Sequence, residues 1–532
     1  MALPRSVLYG SAVYHVSLMG RAPAALSLVP AEPWRGNAAA GARLAADSFR
    51  FAGESACGAT PPWTAALGDR FLAALHGFSW LDDIAALGER AAWDKVRLWL
   101  GDWLAQCDGW EKLVWRADVV GRRLLAWTTH WQELAGRGED APLAAALLAS
   151  MARQARHLGR VAGREAPGTK RLAAIAGLIT AAAALGHSGK LERGLRLIAR
   201  EAEAQILPDG GHVERSPRAQ LDALRSLIAA RAALAAAGVE LPAALQAAID
   251  RAAPMLRFFR HGDGALALFN GADEEAVEAV EEVLARAEAK GRAPLSAPHA
   301  GFQRLQAGRS LVLADTGAPP PAGLDEDAHA GTLSFEMSHG RERLIVNCGG
   351  YRGSSAEWRA VARATAAHST LIVADTNSAE IRGGDGFGRR PRRVLCERAQ
   401  QEGAHWLKAS HDGYEPVFGL VHQRQLFLAA DGEDLRGEDQ LAGPAGQGFA
   451  IRFHLHPTVQ ASLAQDGTTV LLRLPGGIGW RLRAQGAVMS LAESIYLGAG
   501  ELRKSQQVVL DGHVGSAGAS VKWALRREGK KE

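Results

Sequence analysis

The sequence predicts a helical half followed by an all-β half, an α-hairpin array or toroid joined to a large antiparallel sandwich. Three observations carry this reading. Between about residues 62 and 290 apolar residues recur at helical spacing, broken by short Gly and Pro joins. After Lys290 that period vanishes, and short β-like runs alternate with Gly-rich turns. The length, 532 residues, exceeds one ordinary core and calls for two or three domains.

Taken in order, residues 1–55 read as an irregular segment, ending in the linker-like run PAEPWRGNAAAGARLAADSF. Residues 56–295 read as the helical domain. Trp99 and Trp103 are four apart, as are Trp127 and Trp131, which puts each pair on one helix face. The tract from Leu143 to Ile198 is rich in Ala and Leu and is interrupted at Gly163, Pro167-Gly168 and Gly186. The pattern predicts eight or nine helices of 15–22 residues, without a repeat of fixed length. Ser216-Pro217 supplies an N-cap and a first helical residue for the helix carrying Leu221, Leu224 and Ile228. Residues 296–532 read as the β domain, with ten or more strands and a hairpin turn at Ser338-His339-Gly340-Arg341.

Composition narrows the function classes. With 61 Lys and Arg against 57 Asp and Glu, the net charge is +4, too mild for a nucleic-acid footprint. No run approaches 18 apolar residues, so no membrane-spanning helix is expected. The first 20 residues lack the continuous apolar region of a signal peptide, which points to the cytoplasm. Cys57, Cys107, Cys348 and Cys396 lie far apart, without a CxxC pair, and read as buried small hydrophobes.

Four groups of polar residues stand out. Asp209-Gly-Gly-His212-Val-Glu214-Arg215-Ser-Pro217 packs His, Glu and Arg before a helix entrance. Arg260-His-Gly-Asp263 to Asn270-Gly271 encloses an apolar segment; Asn270-Gly271 is first of all a turn signal, with a ligand-facing Asn270 as the alternative reading. In the β half, His368 follows Arg359, Arg363 and Thr365 at the mouth of the apolar strand Leu371 to Ala374. Further on come Asp385, Tyr414 and His422, with His422 and Arg424 on one strand face. Finally, alternation puts Arg452, His454 and His456 on one face of a strand.

The motifs RATAAHSTLIVAD, SHDGYEPVFGLVHQR and RFHLHP, with DGGHVERSP and RHGDGALALFNG upstream, resemble the heparinase II/III-like family of bacterial polysaccharide lyases. The resemblance runs from about residue 60 to the end and implies an incomplete (α/α) toroid followed by an antiparallel β-sandwich, with a substrate groove between them. It implies β-elimination on an acidic, uronic acid-containing polysaccharide or oligosaccharide, and a cell-envelope or periplasmic location that the N-terminus does not suggest. It also implies one structural Zn2+ held by His368, Asp385 and His422, and no organic cofactor. The chemistry needs neutralisation of the substrate carboxylate, a base at C5 and an acid for the departing oxygen.

The sequence departs from the family pattern at the toroid Tyr and Asn. Its five tyrosines are Tyr9, Tyr14, Tyr351, Tyr414 and Tyr496, and the helix entrance that should hold Asn reads Pro167-Gly-Thr169-Lys170-Arg171. His212 is therefore expected as base or carboxylate neutraliser, Glu214 as its orienting partner and Tyr414 as partner across the groove. Arg215, Asn270, Arg363, Arg424 and His454 are expected to bind substrate. The alternative is a catalytically silent relative that binds an anionic glycan. A hydrolase would need paired carboxylates, for which Glu214 and Asp263 are the candidates.

Overall fold

The computed structural model describes residues 9–31, 34–136, 140–383 and 386–529. The predicted order holds: helices up to Ala287, then two antiparallel sheets. The segment 1–55 is more ordered than expected. It contains the helices Ala12–Leu18 and Ala38–Ala45 and the hairpin β1 (Ser48–Phe51) with β2 (Glu54–Cys57). Tyr14, Leu18, Leu44 and Phe49 join the core of the helical half, so this segment is not a linker.

Six helices reach the predicted length: Arg90–Gln106, Ala141–Val161, Thr169–Ala184, Ser188–Gln205, Pro217–Ala236 and Ala243–Phe258. Others, such as Asp69–Gly77 and Leu81–Leu87, are shorter. Trp99 and Trp103 share one buried face as predicted, whereas a break at His130 places Trp127 and Trp131 on separate helices. The helices Ala117–Thr129 and Thr169–Ala184 cross at two glycines. A Cβ on Gly177 would lie 2.2 Å from the Gly121 carbonyl oxygen, so the two backbones touch.

The β half contains β3 (Ser296–Ala297), β4 (Phe302–Ala307), β5 (Ser310–Asp315), β6 (Phe335–His339), β7 (Glu342–Val346), β8 (Leu371–Val373), β9 (Val394–Gln401), β10 (Ala404–Tyr414) and β11 (Leu420–Leu428). It continues with β12 (Asp434–Ala442), β13 (Gly448–Leu455), β14 (Gln460–Leu463), β15 (Thr469–Arg473), β16 (Gly479–Gln485), β17 (Val488–Tyr496), β18 (Arg503–His513) and β19 (Ala519–Arg527). One sheet runs β14-β15-β16-β19-β12-β11-β10-β9; the other runs β17-β18-β13-β7-β6-β5-β4-β3, with β8 against β13. Strict alternation along β11 turns Leu420, His422, Arg424, Leu426 and Leu428 inward. Phe335 and Trp523 stack between the sheets with ring centroids 5.7 Å apart. The hairpin β6–β7 turns at Gly340, as predicted. Cys107 and Cys348 are buried, but Cys57 and Cys396 are exposed, contrary to expectation. Among the described residues no helix is long and apolar enough to cross a membrane.

The halves are joined by buried polar contacts. Arg215 leaves the helical half and donates to the carbonyls of Ala300, Gly301 and Ala318 and to Asp315. His261 meets Glu336 at 2.9 Å, and Arg343 Nε meets Asp263 at 2.8 Å.

Candidate functional site

A groove of about 1850 Å³ opens where the loop Gly323–Ala328, Arg352 and Arg359 of the β half face the helical half. Helix faces supply most of its wall: Asp118 and Arg122 from one helix, Thr169, Lys170 and Ala173 from its neighbour, Arg218 and Asp222 from a third. The groove is densely charged and neutralises itself. Thirteen carboxylates line it against eleven Arg and Lys, so it carries no positive surplus for a polyanion. Arg218 reaches Asp222 at 3.0 Å and also pairs with Glu275, while Arg352 reaches Asp273 at 2.6 Å. Asp118 takes Arg116 and Arg122, Lys170 takes Glu326, and Asp327 takes Arg70 and Arg359. Burial would raise the Asp118 and Asp327 carboxyls, but the neighbouring arginines hold both below the usual range.

Two of the sequence-predicted residues reach this groove. Glu214 lies in its wall and accepts from the Thr169 backbone N–H at 2.7 Å, at the entrance of the helix Thr169–Ala184. Burial pushes its carboxyl up to about 7, against the lowering effect of that N–H. Asn270 also lines the groove, held at φ 46°, with its amide donating to Arg215 O and accepting from His329 N. An Asn in this left-handed conformation costs little, which suits the Asn-Gly pair.

The remaining expectations are corrected by burial. His212 turns into the helical core: Nε2 meets Gln205 at 3.0 Å, and burial lowers its pKa to about 3. The Glu214 carboxylate does not reach its ring; the contact between them runs from the Glu214 backbone N–H to His212 Nδ1. Tyr414 is fully buried in the sandwich and donates to Leu371 O, and burial raises its phenol well above the ordinary value. Arg215 is the clamp already described. Arg363 donates to Ala328 O, and Arg424 grips Asp439 through Nε and Nη2. His454 is held by Ser494 and Ala366 O, with burial lowering it to about 3. Asp263 pairs with Arg343 between the halves, so it cannot partner Glu214 across a glycosidic bond.

Of the expected metal ligands, His368 and His422 are both buried and hydrogen-bonded. His368 spends Nδ1 on Ala364 O and Nε2 on His329 Nδ1, 3.0 Å away. His422 spends Nε2 on Asp439 and Nδ1 on His411. Asp385 lies outside the described residues, and among those residues no group of three or more His, Cys, Asp or Glu is placed to hold a metal.

Sequence reasoning missed the residues that build the groove. Their signal is present in the helices: Asp118 with Arg122, and Arg218 with Asp222, are i, i+4 ion pairs set into otherwise apolar stretches. Glu214 gives a testable consequence. A carboxyl whose folded pKa is raised favours the neutral fold, so its stability contribution falls as pH rises from about 4.5 through about 7. Replacing Glu214 with Gln removes that decline, by on the order of 1–3 kcal/mol at pH 8. Denaturation of both proteins at pH 5 and pH 8 checks it, and equal pH slopes would refute it.

Comparison with known proteins agrees with this architecture. Residues 289–524 match the model of the heparinase II/III-like C-terminal domain. The chain is 33% identical over 547 residues to FtsZ-localized protein C of Caulobacter vibrioides, covering 98% of this chain and 93% of that protein. Among solved structures, heparinase III superposes with a TM-score of 0.71 at 15% identity, covering 87% of this chain and 79% of that one. Heparan sulfate lyase HepC of Pedobacter heparinus superposes with a TM-score of 0.61 at 16% identity, covering 98% and 88%. The helical half and the two-sheet half thus share the fold of heparinase III and of heparan sulfate lyase HepC, and the chain belongs to the heparinase II/III-like family.

Proposed function

We propose that this chain is a saccharide-binding member of its family that does not carry out β-elimination, and that it works beside FtsZ. The observation that carries the first part is the groove lining, in which the described residues include neither Tyr nor His. Elimination needs a base at C5 and donors aimed at the substrate carboxylate. Here Arg218, Arg352, Arg70 and Lys170 already face carboxylates of the chain itself, so a uronate would have to displace them. The second part is supported by the name of the Caulobacter relative, an FtsZ-localized protein, at 33% identity along almost the whole chain.

One observation favours a second reading. Glu214, pushed up to about 7 in the groove wall, has the proton affinity of a general acid or base near neutral pH. In that reading the chain cleaves an acidic, uronic acid-containing polysaccharide, with Glu214 exchanging the proton and Asn270 in the same groove.

The experiment is near-ultraviolet absorbance of unsaturated uronate while purified protein is offered a panel of acidic polysaccharides. A flat trace, alongside a positive heparinase control, is the expected result. A rise that Glu214→Gln abolishes would overturn it in favour of the lyase. For the location, a fluorescent fusion should form a ring that disperses on FtsZ depletion; a diffuse signal in cells with intact FtsZ rings refutes it.

A further inference from the structure

We propose that the outer face of the eight-stranded sheet holds a second binding site, for an acidic oligosaccharide, centred on Trp406 and Phe427. A hollow of about 720 Å³ lies across β9, β10, β11, β12, β19 and β16, on residues other than those of the groove. Register builds it. Trp406 stands opposite Ala399 on one side and Phe427 on the other, Phe427 opposite Arg436, and Arg436 opposite Ala524. The small side chains of Ala399 and Ala524 leave the face concave, while the aromatic pair stands between them.

Trp406 is 41% exposed on a strand whose neighbours Leu407 and His405 are buried, so its indole contributes nothing to the sandwich core. Its ring lies 4.9 Å from that of Phe427, and the Arg436 guanidinium sits 5.6 Å over the Phe427 ring. An exposed aromatic floor with polar groups around it is the chemistry of a small-ligand cleft, and the volume lies in that range. The C–H face of a pyranose packs on such a floor, and its hydroxyls need both donors and acceptors at the edge.

The next row across the sheet supplies them. Glu397, Lys408, Gln425, Glu438 and Lys522 follow one another in register. Lys408, Lys522 and Arg483 form no salt bridge among the described residues, in contrast to the groove, where the cations are largely paired. These three exposed cations around one aromatic floor select a saccharide bearing carboxylate or sulfate. The two carboxylates in the same row, Glu397 and Glu438, offer acceptors to sugar hydroxyls. A folded protein partner would need a wider apolar centre than one indole and one half-buried phenyl ring.

The test titrates the full chain with size-defined oligogalacturonates and hyaluronan oligosaccharides by calorimetry, with cello-oligosaccharides as the neutral control. Trp406→Ala should weaken binding of the acidic oligosaccharides at least tenfold, Trp406→Phe should retain most of it, and Lys408→Glu with Lys522→Glu should abolish it. Because these side chains are exposed, thermal melting should be unchanged, and the elimination assay of the groove is unaffected by them. Affinity and stoichiometry unaltered by Trp406→Ala would overturn the proposal. So would the absence of binding to any of these saccharides, or Trp406-dependent binding of acidic peptides or single-stranded oligonucleotides in their place.

Discussion

Replacing Arg215 with Met is expected to lower stability by about 3–5 kcal/mol, the cost of breaking a buried ion pair by removing one partner. Arg215 serves three backbone carbonyls and one carboxylate at the seam between the halves, and its guanidinium lies 4.9 Å from the Phe302 ring centroid. Without it, Asp315 remains buried with its main counter-charge gone. Burial already raises the Asp315 carboxyl, and Arg215 is what opposes that rise. Methionine fills much of the volume but offers no donors, so the loss is electrostatic rather than a cavity. The helical and β halves should then melt in two separate steps, the native protein in one. Calorimetry checks this: a single transition at the native temperature would refute it. Combining Arg215→Met with Asp315→Asn in a double variant should recover part of the loss.

The second large effect is expected at Asp439. Its carboxylate accepts from His422 Nε2 and Arg424 Nε, each at 2.8 Å, and from Trp523 Nε1 at 2.9 Å. Burial alone would raise this carboxyl; Arg424 and His422 hold it far below the usual range instead. A depressed folded pKa means the stabilisation is complete above the ordinary carboxylate pKa and is lost as pH falls towards the folded value. Asp439→Ala strands Arg424 inside the sandwich and should cost about 3–5 kcal/mol at pH 7. Below about pH 4 the gap between native and variant should narrow. Chemical denaturation at pH 7 and pH 3 measures both numbers, and a gap that widens in acid would refute the assignment.

The sequence made some of this legible and hid the rest for identifiable reasons. The helix after Ser216-Pro217, the turn at Gly340 and the alternation along β11 depend on neighbours within a few residues, and each appears where expected. Alternation also placed His422 and Arg424 on one face correctly. It could not say that this face is the inner one, because that depends on Asp439, which arrives on the next strand. His212 and Glu214 are two apart in a loop, without a period to sort them; one entered the core and the other the groove. Most of the polar clusters therefore marked where chain segments meet, while Glu214 and Asn270 reached the groove. Arg215, Arg363 and Arg424 are all such joints, each donating to backbone carbonyls.

The crossing at Gly121 and Gly177 acts as a calliper for the groove. The helix bearing Gly121 also presents Asp118, Arg122 and Leu125 to the groove, and the helix bearing Gly177 presents Thr169, Lys170, Ala173 and Ala176. Their backbones already touch, so the spacing of these two rows of side chains is fixed by contact and not by the side chains themselves. One added methyl at either glycine would wedge the helices apart and widen the mouth without altering a single residue that lines it.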